Sequence, residues 1–155
     1  MIALIDIDGT LADCSHRLHF IGTTPGKRLE VKPDAPVNWD AFHDACVDDP
    51  FIGPMCELVI ALCEAYTIVY VTGRPHSHAK QTEQWLIDNQ LPSGPIFMRT
   101  AGDYRPDYVV KREIYEKLIL PKLGKADIAI EDRDQVVKMW RELGITTLQC
   151  REGEY

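Results

Sequence analysis

The chain has 155 residues, 45% of them hydrophobic, and a formal net charge of −7 at pH 7. A chain of this length can bury one hydrophobic core, so we expect a single domain over residues 1–155. The acidic balance argues against a broad electrostatic grip on nucleic acid, which needs a basic surface. It favours a small substrate, or only the end of a strand.

The short length of the apolar runs and the number of cysteines predict a cytoplasmic protein that does not bind a membrane. No apolar run approaches the roughly 20 residues of a membrane span. The first residues enter a predicted strand without the basic region and cleavage site of a secretory signal. The five cysteines are odd in number and lack C-x-x-C spacing, which favours reduced thiols.

The first predicted element is a buried strand over residues 2–5, which ends in the sequence Asp6-Ile7-Asp8-Gly9-Thr10-Leu11. Residues two apart in an extended segment point the same way, so Asp6 and Asp8 can converge on one spot. Gly9 permits a sharp turn after them. Convergent carboxylates at a strand end indicate a hard cation and phosphate chemistry. Taken alone, the segment also fits an ordinary Asp-Gly turn.

An irregular segment over residues 13–52 follows, rich in Pro, Gly and His, and long enough to form a small lid over the strand ends. Within it, residues 39–46 are predicted to form a short helix with Asn38 as its N-cap. Trp39 and Phe42 of this helix either stack on a base or pack inside the lid.

Strands and helices alternate through the rest of the chain. The predicted elements are a helix after Gly53-Pro54, then strands over residues 66–71, 96–98, 128–130 and 146–150, and helices over 77–89, 109–118 and 134–143. Trp85 and Trp140 fall at core spacing on two of these helices. The alternation predicts an α/β, Rossmann-like, three-layer fold with a central parallel sheet.

Polar side chains follow two more of the predicted strands. Thr72-Gly73-Arg74 comes where the second strand stops, Glu131-Asp132 follows the fourth, and Lys111 stands in a helical segment. In an open α/β sheet ligands bind outside the carboxyl ends of the strands, so these residues are expected to line one crevice with Asp6 and Asp8. A guanidinium reads phosphate oxygens as a fork, which suits Arg74.

The ordered set of acid pair, hydroxyl, lysine and acid resembles the four motifs of the haloacid dehalogenase-like phosphohydrolases. Further segments narrow the resemblance to the 3′-phosphatase domain of phage-type polynucleotide kinase/phosphatases, from about Met1 to the C-terminus. They are Met98-Arg99, Gly102-Asp103-Tyr104-Arg105, Asp107-Tyr108-Val109-Val110-Lys111 and residues 130–141.

The kinase domain of those bifunctional enzymes is not expected in this chain. Gly22-Thr23-Thr24-Pro25-Gly26-Lys27-Arg28 is one residue short of the phosphate-binding loop G-x-x-x-x-G-K-[ST], and it ends in Arg where a hydroxyl binds Mg²⁺. His76 and His78 resemble a metal pair, but side chains two residues apart at a helix start diverge.

The resemblance implies a Mg²⁺-dependent phosphatase that works through an aspartyl-phosphate. Asp6 would attack phosphorus, and Asp8 would protonate the leaving oxygen and then activate water, for which its pKa is expected nearer neutrality than that of a free carboxylate. Mg²⁺ would be held by Asp6, the backbone carbonyl of Asp8, and Asp132. Glu131 stands where the family pattern has Asp, and its longer side chain would bind directly or through water.

Other residues are expected to hold the substrate. Thr72 and Lys111 would bind phosphoryl oxygens, and by resemblance the substrate-binding positions are Arg17, Gly73, Arg74, Arg99 and Asp107. For Arg17 and Arg99, a solvated surface position is the alternative. Asp107 either caps its helix or orients Lys111 or Arg99.

The expected substrate is a 3′-phosphate at a nucleic-acid end. The alternative with the same mechanism is a nucleotidase that cleaves free nucleoside monophosphates, which the acidic charge and the lid favour. A phosphotransferase using the same aspartyl-phosphate, and a non-catalytic binding protein on this fold, are the remaining hypotheses.

Overall fold

The computed structural model describes residues 1–23 and 37–153, and the side chains within residues 1–23 and 37–151. The strands are β1 (Ile2–Ile5), β2 (Thr67–Pro75), β3 (Ile96–Arg99), β4 (Ile128–Arg133) and β5 (Thr146–Gly153). In the described residues they form one sheet with the order β3-β2-β1-β4-β5, and every pairing is parallel. The predicted parallel sheet is confirmed.

The α-helices alternate with the strands after residue 52. They are α1 (Trp39–Asp44), α2 (Gly53–Leu62), α3 (Ala79–Asp88), α4 (Asp107–Ile114), α5 (Leu120–Leu123) and α6 (Asp134–Glu142). Short 3₁₀ helices cover Cys14–Ile21, Ala45–Asp48 and His76–His78, and a π-helical turn, Tyr115–Ile119, joins α4 to α5. The predicted helix over 109–118 is therefore α4 and this turn.

Both faces of the sheet are buried, which completes the predicted three layers. On one face Ile5 and Tyr70 belong to a core with residues of α2 and α3, among them Trp85. On the other face Leu4 and Val69 belong to a core with residues of α4 and α6, among them Trp140. Neighbouring residues of a strand point to opposite faces, so the strands carry apolar side chains on both faces of the sheet. The expected core positions of the two tryptophans are confirmed, at 3% and 2% exposure.

Strand β2 runs four residues beyond its predicted end at Val71. It does so because it pairs with β3, with Thr72 opposite Met98 and Pro75 opposite Arg99. Thr72, Gly73 and Arg74 therefore lie within the strand instead of in a loop after it.

The long segment between β1 and α2 begins and ends at neighbouring positions. Gly9 adopts a φ of 89°, which makes the turn after β1. Ala12 and Phe51 then form an antiparallel bridge, flanked by hydrogen bonds from Asp13 N to Pro50 O (2.7 Å) and from Ile52 N to Leu11 O (2.7 Å). The ends of the segment expected to be a lid are thus held together.

Part of this segment falls outside the described residues, namely 24–36, which includes most of Gly22–Arg28. Within the described part, the predicted N-cap is confirmed, because Asn38 Oδ1 accepts a hydrogen bond from Ala41 N at 2.9 Å. No helix within the described residues has the length and apolar character needed to cross a membrane.

Candidate active site

The carboxyl ends of three neighbouring strands bring the predicted residues together. Strand β1 lies between β2 and β4, and Asp6 follows it directly, with its backbone N–H donating to Ile130 O of β4 at 3.1 Å. Thr72 lies near the end of β2 and Asp132 near the end of β4. Tyr70 and Ile130 both align with Ile5, so these ends reach the same edge of the sheet. This is where open α/β sheets bind ligands.

Lys111 of α4 reaches into this edge and contacts three carboxylates. Its Nζ donates to Asp6 Oδ1 at 2.6 Å and Glu131 Oε2 at 2.8 Å, and it lies 3.1 Å from Asp107 Oδ2. Lys111 is 1% exposed. Burial lowers its pKa, but the surrounding carboxylates outweigh burial and raise the pKa well above its ordinary value. Lys111 is therefore a permanent buried cation.

The second carboxylate oxygen of Asp6 is available to a ligand. This oxygen, Oδ2, is buried and receives no hydrogen bond from the described residues. Burial, reinforced by Asp132, raises the pKa of Asp6 to about 7, although Lys111 opposes the shift. A buried carboxylate oxygen without a donor is costly unless a cation or a ligand meets it.

A divalent cation fits this place. Asp6, Glu131 and Asp132 each offer one carboxylate oxygen, and these oxygens lie within 4.8 Å of one another. An all-oxygen, acidic set is what Mg²⁺ prefers. The predicted metal residues therefore come together, with the carboxylate of Asp8 outside the group, as expected if Asp8 contributes only its backbone carbonyl.

Both carboxylate oxygens of Glu131 already have hydrogen-bond donors. Oε2 accepts from Lys111, while Oε1 accepts from the backbone N–H groups of Asp132 (3.1 Å) and Arg133 (3.3 Å). Burial is the main reason that its pKa is raised well above the ordinary value. The sequence left open whether Glu131 binds the metal directly or through water. This geometry favours binding through water.

The carboxylate of Asp8 is held by two buried arginines. Its Oδ1 accepts from Arg17 Nη2 at 2.5 Å, and from Arg74 Nη2 at 2.6 Å and Nε at 2.9 Å. Arg17 and Arg74 are both 0% exposed. The surface alternative for Arg17 is therefore wrong.

The expected near-neutral pKa of Asp8 is also wrong for the substrate-free protein. Burial tends to raise the pKa of this carboxyl, but Arg74 and Arg17 outweigh burial and lower it below its ordinary value. The expectation for the pKa of Asp8 was wrong because the sequence does not show that two guanidinium groups converge on one of its oxygens. Asp8 is ionised in this state.

Arg99 links β3 to its neighbours instead of facing solvent. Its Nε donates to Gly73 O at 2.9 Å, and its Nη1 donates to the carbonyl oxygens of Asp103 (3.0 Å) and Arg105 (2.7 Å). The surface alternative is wrong for Arg99 as well. Its side chain fixes the loop over residues 100–106 beside β2.

Asp107 joins Arg99 and Lys111. Its Oδ1 accepts from Arg99 Nη2 at 2.9 Å, and its Oδ2 lies 3.1 Å from Lys111 Nζ. It is the first residue of α4, whose cap position is Pro106. The contacts match the orienting role and exclude the N-cap role. A Cβ at Gly73 would lie 2.6 Å from Asp107 Oδ1, so this position needs glycine to let Asp107 approach.

Thr72 is fully buried, and its Oγ1 accepts a hydrogen bond from Arg74 N at 3.1 Å. A hydroxyl that accepts in this way still has its own proton to donate. It is thus able to bind a phosphoryl oxygen at the strand end.

A cavity of about 410 Å³ opens beside Asp8. The lining includes residues of helix α1, of the 3₁₀ helix Cys14–Ile21 and of the loop over residues 101–106. Phe42 is buried with its ring under Arg17, at 4.2 Å from Cζ to the ring centroid, so it packs inside the lid. Trp39 is 36% exposed and lines the cavity. Phe42 also lines the cavity, and the ring centroids of Trp39 and Phe42 lie 5.7 Å apart, so base stacking by this pair stays a prediction.

A family model described as the polynucleotide kinase PNKP phosphatase domain matches residues 1–155. The chain belongs to this family. It is therefore a phosphatase of the haloacid dehalogenase-like type, as the ordered motifs predict.

Relatives of this phosphatase domain agree with the match. A putative bifunctional polynucleotide kinase/RNA ligase of Autographa californica nuclear polyhedrosis virus is 30% identical over 100 residues, which are 63% of this chain and 14% of the viral protein. A chain in the structure of a Pnkp1/Rnl/Hen1 complex superposes with a TM-score of 0.76 and 24% identity, over 99% of this chain and 47% of its own length.

A third similarity concerns the fold. A haloacid dehalogenase family enzyme from Bacteroides thetaiotaomicron, solved with magnesium and inorganic phosphate, superposes with a TM-score of 0.51 and 16% identity, over 99% of this chain and 95% of its own. The chain thus spans less than half the length of the viral relative and of the Pnkp1 complex chain, and nearly all of this enzyme.

Sequence reasoning missed Asp49 in this phosphatase domain. Its carboxylate is buried and accepts from Arg17 Nε (2.8 Å) and Nη2 (2.7 Å) and from Arg74 Nη2 (2.8 Å), while His16 Nε2 lies 2.9 Å away. Asp49 follows the exposed Asp48 in an irregular segment, where no periodicity separates a buried acid from a solvated one. The sequence held no signal for it.

His78 of the histidine pair contacts neighbouring polar side chains. His78 Nε2 lies 3.0 Å from Asp44 Oδ1, and its Nδ1 lies 3.0 Å from Ser77 Oγ. Within the part of the chain that the structure describes, His76 and His78 belong to no group of ligands at metal-binding spacing.

Proposed function

We propose that this phosphatase domain removes 3′-phosphates from nucleic-acid ends and depends on Mg²⁺. The observation that carries the proposal is the cavity, which extends from Asp8 to the exposed ring of Trp39. Its volume of about 410 Å³ lies in the range that holds a small organic ligand, so it has room for a nucleoside as well as a phosphate.

Asp6 is the nucleophile in this proposal. Its carboxylate forms a bond to phosphorus while the bond from phosphorus to the ester oxygen breaks, which gives an aspartyl-phosphate and a leaving alkoxide. Asp6, Asp132 and the backbone carbonyl of Asp8 would hold Mg²⁺, which when bound neutralises phosphate charge at this site. Lys111 orients Asp6 through its 2.6 Å ion pair and favours the ionised carboxylate, against the burial that raises the pKa of Asp6 to about 7.

Asp8 moves the proton. With substrate bound, Asp8 takes up one proton from solvent and gives it to the leaving alkoxide in the first step. In the second step it takes a proton from the water that attacks the aspartyl-phosphate. A bound phosphate brings negative charge to Arg17 and Arg74, which weakens their hold on Asp8 and raises its pKa from the depressed value of the free protein. The ionised form of Asp8 is the one that accepts a proton from water in the second step.

The phosphoryl oxygens are bound by Thr72, Lys111 and Arg74. Arg74 Nη1 is buried and has no hydrogen-bond acceptor among the described residues, so a phosphate oxygen is a suitable partner. The dense positive charge meets the requirement of phosphoryl transfer for electrostatic stabilisation.

Two aromatic rings at the cavity support a nucleic-acid substrate. Trp39 and Tyr104, which is 82% exposed, both line the cavity. Exposed aromatic side chains bind bases by stacking, and stacking does not depend on which base is present. The viral relative is named as a polynucleotide kinase/RNA ligase, which agrees with an end-processing role here.

The nucleotidase is the second candidate, and the net charge of −7 favours it. A free mononucleotide needs no long positive track, whereas a polynucleotide gains from one. The phosphotransferase differs only in its second step, where an alcohol replaces water.

A substrate panel tests the proposal. A 3′-phosphate oligonucleotide, the matching 3′-mononucleotide and the 5′-mononucleotide are compared by kcat/KM with Mg²⁺ present, and the oligonucleotide is expected to be the best substrate. Asp6→Asn, which cannot form the acyl phosphate, is the inactive control and should lose roughly 10³-fold or more. Faster cleavage of 5′- and 3′-mononucleotides would replace the end-healing function with the nucleotidase. An added alcohol that becomes phosphorylated would identify the phosphotransferase.

A further inference from the structure

Asp49 contacts both arginines that hold Asp8. Its Oδ2 accepts from the Nη2 atoms of Arg17 and Arg74, and its Oδ1 accepts from Arg17 Nε. The same two Nη2 atoms donate to Asp8 Oδ1. Each Nη2 therefore bridges the two carboxylates, and neither guanidinium can rotate without losing a bond to one of them.

The four side chains form a balanced buried unit. The side chains of Arg17, Arg74 and Asp49 are 0% exposed, and that of Asp8 is 16% exposed. Two buried guanidinium groups on a single carboxylate would repel each other, and the second carboxylate offsets this repulsion. The arginine pair thus depends on Asp49 for its arrangement.

Asp49 is itself fixed to the body of the domain. Its backbone carbonyl accepts a hydrogen bond from Trp85 Nε1 of α3 at 2.8 Å, and the Trp85 ring lies 5.9 Å from Arg74 Cζ. His16 contacts its Oδ1. A group can orient a reacting residue only if its own position is held, and Asp49 meets this condition.

We propose that Asp49 is a positioning residue for the phosphatase reaction. It fixes Arg17 and Arg74 so that they hold Asp8 by Oδ1 and leave Oδ2 for the leaving oxygen. In the described residues, every hydrogen bond to the Asp8 side chain goes to Oδ1. Asp49 is not among the residues lining the cavity, so it acts through the arginines and not on the substrate. The inference rests on the proposed role of Asp8 as proton donor.

The leaving group of the substrate provides a test that separates positioning of Asp8 from a merely structural role of Asp49. An alkyl ester such as a nucleoside 3′-monophosphate needs a proton on its leaving oxygen, whereas p-nitrophenyl phosphate releases a stable phenolate and needs little help. Asp49→Asn keeps the size of the side chain and removes its charge. We expect kcat/KM, which reports the steps up to departure of the leaving group and not the shared second step, to fall about 100-fold for the alkyl ester and less than about 5-fold for the aryl ester.

A double variant shows whether the effect passes through Asp8. Asp8→Asn alone should lower the ratio of kcat/KM for the alkyl ester to kcat/KM for the aryl ester, and adding Asp49→Asn should not lower that ratio further. Asp48→Asn is the matched control, because Asp48 is the exposed neighbour of Asp49 and receives the same substitution. Its ratio should equal that of the wild-type protein.

Asp49→Glu covers the case in which Asp49→Asn does not fold. It keeps the charge balance of the four side chains but displaces the carboxylate by one methylene, so it should fold and still lower the ratio by about 3-fold or more. An unchanged ratio in a folded Asp49→Glu or Asp49→Asn variant, or an equal loss on both esters, would overturn the proposal. The ratio is measured on whichever alkyl phosphate the wild-type protein cleaves, so failure of the 3′-end specificity would be seen separately, in the substrate panel.

Discussion

Lys111 and Asp6 form a 2.6 Å ion pair although 105 positions separate them in the sequence. The pair joins the helix after β3 to the end of β1, and Lys111 also contacts Glu131 and Asp107. One buried cation thus sets the arrangement of the acids at the candidate active site.

Replacing Lys111 should destabilise the domain and abolish activity. Lys111→Met leaves several buried carboxylates without their cation, so the free energy of unfolding should fall by about 3–5 kcal/mol. Urea denaturation measures this change. Lys117→Met is the control, because Lys117 is 70% exposed in its pair with Glu113 and should contribute less than about 1 kcal/mol. Equal losses in the two variants would contradict the central role of Lys111.

Metal removal should abolish turnover, and Mg²⁺ should restore it. Ca²⁺ should bind without supporting catalysis, because its looser coordination misplaces the attacking carboxylate of Asp6. Assays in chelator, followed by addition of each ion, and thermal unfolding with each ion separate binding from turnover. Full activity in excess chelator would refute the metal dependence.

The two acids at the end of β4 should respond differently to substitution. Asp132→Ala should raise the Mg²⁺ concentration needed for half-maximal activity by about 10-fold or more, whereas Glu131→Gln should raise it less. The reason is that both Glu131 oxygens already accept hydrogen bonds from Lys111 and the backbone. Mg²⁺ titrations of activity provide the comparison. Equal increases would make both acids direct ligands.

Gly73→Ala should disturb the candidate active site through a steric clash with Asp107. Its Cβ would lie 2.6 Å from Asp107 Oδ1, so Asp107 must move away from Arg99 and Lys111. We expect a loss of about 1–3 kcal/mol in the free energy of unfolding, together with a clear loss of kcat. Gly53→Ala is the matched control, since its Cβ would meet only Phe51 at an ordinary 3.7 Å. A Gly73→Ala protein with wild-type kcat and stability would show that Asp107 is not constrained in this way.

Trp39→Ala should weaken nucleotide binding without impairing the phosphoryl chemistry. Loss of one stacking contact is expected to raise KM for a 3′-phosphate oligonucleotide by about 10-fold, with hydrolysis of p-nitrophenyl phosphate unchanged. Trp39→Phe should recover most of the affinity because it keeps an aromatic face. Steady-state kinetics on both substrates measure the effect. An equal change on both substrates would assign Trp39 to packing.

Much of the site follows from the sequence because strand ends are local features. Asp6 comes directly after one apolar run and Glu131-Asp132 after another, and parallel alternation brings the ends of such runs to one edge. The metal group and the position of Thr72 could be predicted for this reason. The periodicity of the helices likewise predicted the buried positions of Trp85 and Trp140.

Only the tertiary structure decided the state of Asp8. Arg17 and Asp49 lie in a segment without periodicity, and Arg74 comes from β2, so no spacing in the sequence shows that they meet around one carboxylate. Burial and long-range ion pairs set pKa values, and both depend on which surfaces the fold brings together. The sequence by itself therefore determined the fold and the edge of the sheet at which Asp6, Glu131 and Asp132 meet, while the tertiary structure decided how Asp8 is held.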